Sequence, residues 1–430
     1  MAFSNYSETG TPLLTATDKL LRANFRLTGV SSTIANVLRR AILVDTRSAS
    51  FRADLTDAAN PGIRINKNTS SIFNEMLAHR LTLLPLAVVR LNEFQPERYE
   101  CVLQRKNTST TEYLHVKASD FILREKQADG SWAEIPGAAM FPPDPITKDT
   151  SLLLTLRPQW NPEQPPEEVD LVAYPVISTG QEHIGFSPVS QAAFGNTVDP
   201  DPVRQETFFF EWMSAYKKVA DPTGIPVDVL EHHRKEWSTM AAQRCFIVDE
   251  RGEPSSFDFT VESVGVRPVQ DIVAEAIQSL IARVRPYTSV ETPSAELGIQ
   301  QQPPDSRMVG IDLLFSDQDH TLGTLLQSII TEMYLETPTP DSPLTFIGYK
   351  MRHPLKREVT LRFGFRDAAP AAGPAPAPAT ASSGGLEAQA RQILASAAAR
   401  AVTIFEGLAG SWTAVAGGRQ QESAVIELEG

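Results

Sequence analysis

Cysteine is scarce in this sequence, and this scarcity excludes the common cysteine-based sites. Only Cys101 and Cys245 occur among 430 residues, and neither has a second cysteine nearby. A disulfide framework or a zinc site built on several cysteines needs more of them at short spacing. We therefore expect no disulfide scaffold, no structural zinc and no cofactor.

Long apolar runs and a secretory leader are also missing. The N-terminal stretch MAFSNYSETGTPLL has neither a basic start nor a long apolar core, so it does not resemble a signal peptide. No run of apolar residues approaches the length that crosses a bilayer. The sequence predicts a soluble, intracellular protein with no membrane partner.

Positive charge is in deficit across the whole chain. Lys and Arg number 39 against 52 Asp and Glu, which gives a formal net charge of −13 and a pI near 5.1. A chain of this balance is a poor candidate for gripping phosphate backbones, so we expect no direct, specific contact with DNA. Its length allows two or three domains with cores of their own.

The familiar motifs of catalysis are absent as well: there is no Gly-rich phosphate loop, nucleophile elbow or pair of catalytic carboxylates. Glu75 and His79 share a helical face, and together with His320 they form the set that a hydrolase, the alternative function, would use. No third ligand stands at usable spacing, so a hydrogen-bonded interface histidine explains His79 better than a metal site. Asp319 just precedes Thr321 and is expected to be an acid at a helix start.

The most informative feature that is present is a repeated helix opening. Segments 33–42 and 321–330 carry apolar residues at the same steps, in the i, i+3, i+4, i+7, i+8 stripe of an amphipathic helix, and each opens with a threonine suited to capping. Arg39–Arg40 of the first copy become Gln327–Ser328 in the second. Two like halves with unlike surfaces indicate an internal pseudo-dimer that docks a different partner on each side.

Periodicity and turn residues predict the elements around the two helices. In the first half they are a strand over 19–29, a helix over 33–44, a second helix closed by Pro85, β-structure over 86–125, a turn-rich region over 126–240 with a helix near 225–242, a strand over 257–262 and a helix after Pro268. In the second half they are a strand over 308–315, a helix over 321–335, a strand over 358–365 and a final helix from about Leu386. The second helix is expected to share one face among Ile72, Phe73, Met76, Leu77 and Leu81.

Strand–helix–strand–helix therefore occurs twice, and the first occurrence is interrupted by mostly β material, which indicates an inserted domain. The predicted fold class is α+β. The predicted division is 1–47 with 243–290 as the first module, 48–242 as an inserted β-rich domain, 291–306 as a linker, and 307–430 as the second module with a disordered Ala/Pro loop at 368–385.

Ordered motifs, each several residues long, occur in both halves. The first half contains NVLRR from Asn36, NTS from Asn68, NEMLAHRL from Asn74, EHIGFSPV from Glu182 and VESVG from Val261. The second half contains DHTLGTLL from Asp319 and YKMRHPL from Tyr349. The first set resembles the third-largest subunit of eukaryotic RNA polymerase, with the archaeal D subunit and the N-terminal domain of bacterial alpha as its relatives. The second set resembles the small partner subunit, archaeal L.

The resemblance implies a fused D/L-type subunit of a multisubunit DNA-directed RNA polymerase, built from two alpha-N-terminal-domain-like dimerisation modules. Such a subunit is a non-catalytic assembly platform for the second-largest and largest subunits, and small subunits of the archaeal N and P type are further candidate partners. The implied assembly interface is Asn36, Leu38, Arg39, Arg40, Glu75, His79 and Arg80. The implied pairing residues are Ile34, Val37, Ala41, Ile277, Ile281, Leu322, Leu325, Leu326, Ile329, Leu394 and Ile404. The L-like motif comprises His320, Thr321, Gly323, His353 and Pro354.

The sequence departs from the resemblance at two points. Many relatives carry a zinc or iron–sulfur cysteine cluster in the inserted domain, and this chain has none. Thr82 stands where a glycine is usual.

Fusions of this kind resemble those of large DNA viruses, which would place the protein in the nucleus or cytoplasm of an infected host and in the virion. The remaining alternative is a stand-alone scaffold or regulator derived from a polymerase subunit.

Overall fold

The structure is a computed structural model that describes residues 1–15, 19–53, 62–88, 90–161, 163–218, 225–302, 310–336, 342–366 and 383–416. Its helices are α1 Ser32–Val44, α2 Asn74–Thr82, α3 Pro202–Trp212, α4 Val227–Met240, α5 Val269–Val284, α6 His320–Thr331 and α7 Ser383–Ala416. Its strands up to the inserted region's end are β1 Ala2–Pro12, β2 Leu20–Thr28, β3 Arg47–Phe51, β4 Ile63–Asn68, β5 Tyr99–Lys106, β6 Leu114–Lys117, β7 Ile122–Lys126, β8 Trp132–Pro136, β9 Leu152–Leu156, β10 Glu168–Ala173 and β11 Pro175–Thr179. The later strands are β12 Val189–Asn196, β13 Ser256–Ser263, β14 Ile299–Gln302, β15 Gly310–Ser316, β16 Leu344–Met351 and β17 Glu358–Phe365.

The first half is a four-stranded antiparallel sheet in the order β1–β2–β13–β12, with α1 and α5 packed on one face. The alternation of β13 explains why this sheet has one apolar face. Phe257, Phe259 and Val261 are buried toward the helices, while Asp258 and Glu262 point to the other face. There they form cross-strand ion pairs with arginines of β2, as a half-exposed antiparallel sheet permits.

The second half repeats this plan. Strands β14–β15–β17–β16 form a second antiparallel sheet, and α6 and α7 pack on it. The order of the strands matches the first sheet position by position, with each helix following the equivalent strand. In both halves an acid or a serine just before the first helix caps it: Ser31 Oγ accepts from the Ile34 amide, and Asp319 Oδ1 accepts from the Thr321 amide. The expected threonine caps were therefore wrong, and the caps lie two residues earlier in each copy.

The helices of the two halves face each other and share one core. A single cluster of buried apolar residues contains α1 and α5 of the first half together with α6 and α7 of the second. The predicted stripe of α5 is buried along its whole length: Val269, Ile272, Val273, Ala276, Ile277, Leu280, Ile281 and Val284. The interior is thus a four-helix layer between two sheets, which removes the apolar face of both sheets from water.

A separate β-rich body lies between β3 and β11. Its five-stranded sheet has the order β4–β10–β5–β7–β8, and the pairs β11–β3 and β6–β9 complete it. Helix α2 packs on a second apolar cluster that contains Leu77, Leu81 and Phe121. A third, small cluster joins α3 to α4 through Phe209, Met213 and Trp237. The β-structure expected over 86–125 is observed only from Tyr99 onward. Leu86, Val88 and Leu91 pack in the second apolar cluster without forming a strand, so their apolar run reflects burial alone. Helix α3 occurs where only turn-rich β material was expected.

Two strands cross the predicted domain boundaries. β12 falls inside the range 48–242 assigned to the inserted domain, yet it pairs with β13 in the first sheet. β14 falls inside the range 291–306 assigned to the linker, yet it pairs with β15, and its Ile299 is buried in the shared core. Both are edge strands. The partner of β12 lies far along the chain, and β14 is only four residues long, which is too short for its alternation to be recognised. The expected disordered loop at 368–385 lies outside the described residues up to 382, and its last residues begin α7.

The final helix differs from the expectation that no stretch could cross a bilayer. By length and composition alone, Gly385–Ala416 is apolar enough, with a mean hydropathy of 1.3 over its best window. More than half of that window, 56%, is buried inside the fold. Ile393, Leu394, Ile404 and Phe405 pack in the shared core. The apolar composition of α7 therefore has a structural use within the protein.

Candidate functional site

All of the residues predicted to pair the two halves lie in the shared core. This set is Ile34, Val37, Ala41, Ile277, Ile281, Leu322, Leu325, Leu326, Ile329, Leu394 and Ile404. Helix α1 contributes its apolar stripe from one half, and α6 contributes the equivalent stripe from the other. Because the stripes meet, neither half could leave the other without exposing a large apolar surface to water.

Leu38 belongs to this buried set rather than to the assembly interface where it was expected. Its side chain is fully buried beside Val37 and Ala41. It follows the same i, i+4 spacing as the core stripe, so the helix turns it inward. A partner protein cannot reach Leu38 while the two halves are paired.

Arg40 also turns toward the second half. Its Nε donates to Thr321 Oγ1 at 2.8 Å, and its Nη2 lies 3.6 Å from Asp319 Oδ2. The C-terminal half of α1 therefore crosses the capped N-terminus of α6. About a third of the Arg40 side chain stays exposed. Its ion-pair partner is Asp319, a carboxylate of the same chain.

Arg283 of α5 continues this contact into a chain of charges beneath the surface. It lies 2.7 Å from Asp319 and 3.3 Å from Asp45, and both carboxylates are largely buried. Burial raises the pKa of Asp45, although Arg283 and the Gln181 amide favour its charged form. Burial acts on Asp319 too, but Arg283 and the Thr321 amide outweigh it and hold the pKa of Asp319 below its usual value. Two guanidinium groups thus balance two carboxylates where the halves meet.

Arg39 is the cation of α1 that remains available. Its Nε and Nη2 both donate to Asn36 Oδ1, at 3.1 and 3.0 Å, and it has no carboxylate partner among the residues that the structure describes. Burial lowers the pKa of the Arg39 guanidinium, and the neighbouring Arg40 adds to this effect. The equivalent residue in α6, Gln327, is occupied within the chain, since its Oε1 accepts from the Tyr349 amide. The asymmetry expected between the two copies therefore centres on Arg39.

Helix α2 presents an exposed face that includes three of the predicted interface residues. Glu75, His79 and Arg80 are exposed there, although the Arg80 guanidinium also donates to the Leu152 carbonyl. Phe73 and Met76 were expected in the core, but they are 68% and 51% exposed. Leu77 and Leu81 are buried as expected, together with Ala78 and Thr82.

The exposed apolar residues at α2 form one stripe that also includes Arg80. Phe73, Met76, Arg80 and Leu83 follow each other at helical spacing, so they share a face. Ile184 is also exposed. It lies close to the stripe, because the ring of its neighbour His183 lies edge-on against His79, with the ring centres 6.2 Å apart. We call this set of five residues the α2 stripe. Exposed apolar side chains grouped in this way mark a binding surface more often than isolated ones do.

Segment 180–187 joins the α2 stripe to α1. Ser187 Oγ donates to the Leu43 carbonyl of α1 at 2.9 Å, and the Gln181 amide donates to Asp45. Between these two contacts, Gly185 packs on the Thr82 carbonyl so closely that a Cβ there would collide with it. Segment 180–187 therefore lies between the end of α1 and the end of α2. We use the name docking face for the polar edge of α1 (Asn36 and Arg39), segment 180–187 and the α2 stripe together.

The L-like motif is dispersed over the second half. Thr321 is buried, and its hydroxyl accepts the hydrogen bond from Arg40. His320 is exposed, and its ring contacts the Tyr349 ring edge-on. Gly323 permits α6 to approach the sheet, since a Cβ there would lie 2.7 Å from the Tyr349 ring and 2.9 Å from Val359. His353 and Pro354 lie apart from these residues, in the exposed turn between β16 and β17.

The candidate hydrolase residues do not meet. His79 contacts His183 and His320 contacts Tyr349, and within the described ranges no hydrogen bond or ring contact joins His320 to Glu75 or His79. Nor do three or more His, Cys, Asp or Glu side chains of the described part of the chain gather as metal ligands would. The geometry provides surfaces for binding and no described cluster for chemistry.

Sequence periodicity missed one residue that joins the halves. Trp412, near the end of α7, is buried between the rings of Phe3, Tyr6 and Phe25 of the first half, with ring centres 5.0, 5.7 and 4.9 Å away. Its Nε1 donates to the Gln270 carbonyl at 3.0 Å. Trp412 continues the i, i+4 spacing after Leu408, and that extension was the signal available in the sequence.

Comparison with known families gives one match, to the RNA polymerase Rpb3/Rpb11 dimerisation domain, over residues 24–284. That range begins in β2, ends at the last residue of α5, and includes the whole docking face. The second half lies beyond it.

Similar proteins include subunits of cellular RNA polymerases. The chain is 26% identical over 294 residues to the DNA-directed RNA polymerases I and III subunit RPAC1 of Homo sapiens, covering 61% of this chain and 79% of that protein. It is 27% identical over 267 residues to the RNA polymerase II subunit RPB3 of Schizosaccharomyces pombe, covering 60% and 79%. It is 30% identical over 177 residues to subunit Rpo3 of Methanosphaera stadtmanae, covering 40% and 56%.

Proposed function

The chain belongs to the family of the RNA polymerase Rpb3/Rpb11 dimerisation domain, and from this premise we propose that it is a non-catalytic assembly platform of a multisubunit DNA-dependent RNA polymerase. In this proposal the protein itself performs no chemistry. It presents fixed surfaces on which the two large catalytic subunits assemble.

The observation that carries the proposal is the repeated sheet. Two four-stranded sheets have the same strand order, and their helices share one core. We infer that the chain is a D-like and an L-like module fused into an intramolecular pseudo-dimer. The first module then comprises β1, β2, α1, β12, β13 and α5, and the inserted domain and the α3–α4 pair interrupt it. The second module begins at β14.

Fusion has a thermodynamic consequence for such a platform. Two separate subunits must find each other in solution, whereas two joined modules pair at an effective concentration on the order of millimolar. Arg40 and Arg283 of the first half pair with Asp319 of the second half, next to the docking face. In a fused chain these ion pairs form whenever the protein is folded. A platform of this kind needs no separate dimerisation step before the large subunits bind.

The docking face is proposed to receive the second-largest subunit. Arg39 offers a guanidinium fork with no carboxylate partner among the described residues, which suits a carboxylate or carbonyl oxygens of a partner. The α2 stripe, which segment 180–187 links to the C-terminal end of α1, offers exposed apolar area. Interfaces of stable complexes combine an apolar centre with arginine in this manner.

Substitution of Met76 tests the proposal directly. Met76→Asp places a carboxylate at the centre of the α2 stripe, and because Met76 is half exposed the fold should be retained. Met240→Asp is the matched control, since Met240 on α4 is exposed as well, at 68% against 51% for Met76, and lies outside the docking face. Each full-length variant is co-expressed with the two large subunits, and the assembled complex is purified through the second-largest one.

The expected result is loss of the Met76→Asp chain from the complex while the Met240→Asp chain is retained. Equal recovery of both variants would remove the α2 stripe from the interface. If the wild-type chain also fails to assemble with the large subunits, the platform function is wrong, and a stand-alone scaffold or regulator takes its place.

A further inference from the structure

The turn between β16 and β17 is the most cationic stretch of the second half. Residues 350–357 read KMRHPLKR, with four Lys or Arg and no acidic residue, in a chain whose net charge is −13. Leu355 stands in the middle of these charges and is 87% exposed. Lys350, Arg352 and Lys356 have no ion-pair partner among the described residues, whereas Arg357 pairs with Asp317 at 3.0 Å. An exposed leucine ringed by free cations is an unusual feature on an acidic protein.

The turn is held in one shape by its own hydrogen bonds. His353 Nδ1 accepts from the Leu355 amide at 3.1 Å, and the His353 carbonyl accepts from the Lys356 amide at 3.1 Å. The Arg357 carbonyl accepts from the Gln318 amide, which anchors the base of the turn to the entrance of α6. Because the backbone is already ordered, a partner that binds Leu355 loses little conformational entropy of this turn.

The same anchor brings the turn next to the docking face. Gln318 holds the turn, and its chain neighbour Asp319 forms the ion pair with Arg40 of α1. The adjacent residues Gln318 and Asp319 therefore connect the turn in the second half to Arg40 of α1 in the first. A large partner seated on α1 can reach both sides of the junction between the halves.

We propose that the β16–β17 turn is a second contact for the partner that occupies the docking face, so that one partner spans both halves. This inference rests on the proposed function for the identity of that partner, the second-largest polymerase subunit. The chemistry of the turn specifies what the partner presents: an apolar pocket for Leu355, bordered by carboxylates that pair with Arg352 and Lys356.

A protein surface suits this turn better than nucleic acid does. The side chain at its centre is aliphatic, and it can neither stack on bases nor bind phosphate. Asp317, which is 85% exposed in its ion pair, and Glu358 border the turn and would repel a phosphate backbone. The net charge of the chain acts in the same direction.

The test compares two double variants of the full-length chain. Leu355→Ser/Lys356→Glu removes the apolar group and reverses one charge in the turn. Ile146→Ser/Arg400→Glu is the matched control, with an exposed aliphatic residue and an exposed arginine far from the turn in sequence. Affinity for the purified second-largest subunit is measured at several salt concentrations, with Met76→Asp measured alongside and a DNA duplex as a separate probe.

The turn variant should bind the second-largest subunit about tenfold or more weakly and with a smaller salt dependence, since interface charges act mainly on association and its screening. The control should bind as the wild type does. Wild-type affinity of the turn variant combined with weak binding by Met76→Asp would refute this inference and leave the proposed function intact. Wild-type affinity of both would refute the two together. Loss of the largest subunit only, or of DNA binding only, would show that the turn serves a different partner.

Discussion

Trp412 makes a strong test of how the halves are joined, because one side chain of the second half occupies a pocket made by the first. In Trp412→Ala the indole ring is removed from between Phe3, Tyr6 and Phe25, and the Gln270 carbonyl loses its donor. The Phe3 amide would keep its bond to Ser411 Oγ on the same turn of α7. The change therefore acts on packing more than on the course of the backbone.

The size of the effect follows from the burial of the ring. Trp412 is 3% exposed, and truncating a buried tryptophan to alanine costs about 3–5 kcal/mol in a core that cannot collapse. Each edge-to-face ring pair is worth about 0.5–1.5 kcal/mol beyond its buried area, and all three are lost together. Only four residues follow Trp412 before the end of α7 at Ala416, so the last turn can detach and limit the loss. We expect a destabilisation of about 3–4 kcal/mol for the contact between α7 and the first sheet.

Hydrogen exchange measured segment by segment is the appropriate assay, because a protein with several separate cores need not unfold in one step. Amides of β1 and of the last turns of α7 should exchange faster in Trp412→Ala, while those of β5 and β10 in the inserted domain should not change. Trp160→Ala is the control, since Trp160 is exposed and its loss should cost less than about 0.5 kcal/mol. If the two variants behave alike, Trp412 does not join the halves and the placement of α7 is wrong.

Three further predictions concern the same junction. Leu326→Asp puts an unpaired carboxylate into the fully buried stripe of α6, at a cost of several kcal/mol, so the melting of the shared core should shift while that of the inserted domain does not. Arg40→Glu brings a second carboxylate beside Asp319 and removes the donor to Thr321. It should therefore lower the melting temperature by more than Ser328→Glu does at the matching position of α6. Equal melting temperatures would contradict the contact between Arg40 and Asp319. A chain divided at 290–292, before β14, and expressed as two pieces should yield a 1:1 complex by light scattering, because the pairing surface is apolar on both sides; pieces that purify separately and folded would refute the pseudo-dimer.

Local patterns were sufficient for the elements that lie across the shared core. The stripes of α1, α5, α6 and α7 predicted both the helices and the residues that they bury, because a 3.6-residue repeat of apolar residues has one stable solution once water is excluded. The same argument identified β13 by its alternation. The family match over residues 24–284 covers α1, β13 and α5, whereas α6 and α7 lie beyond it.

The docking face was only partly predictable. Asn36 and Arg39 were expected at the surface and lie there, but Leu38 is buried and Arg40 contacts the second half. On α2 the periodicity predicted one buried face that included Phe73 and Met76 with Leu77 and Leu81, but only the two leucines of this set are buried. Leu77 and Leu81 pack in the apolar cluster of the β-rich body, and this packing leaves the α2 stripe exposed.

The sequence by itself determined that this chain has two like halves, because each half carries its own helix signal, capped and striped at the same steps. Only the tertiary structure decided which residues close each sheet and which charges meet at the junction. β12 is an edge strand whose partner lies far along the chain, and β14 is an edge strand of only four residues. Arg40 and Asp45 at the end of α1, Arg283 of α5 and Asp319 before α6 come from three separate segments. The periodicity of a segment indicates which of its side chains are buried and which are exposed. Pairing between separate segments depends instead on the geometry that the whole chain adopts.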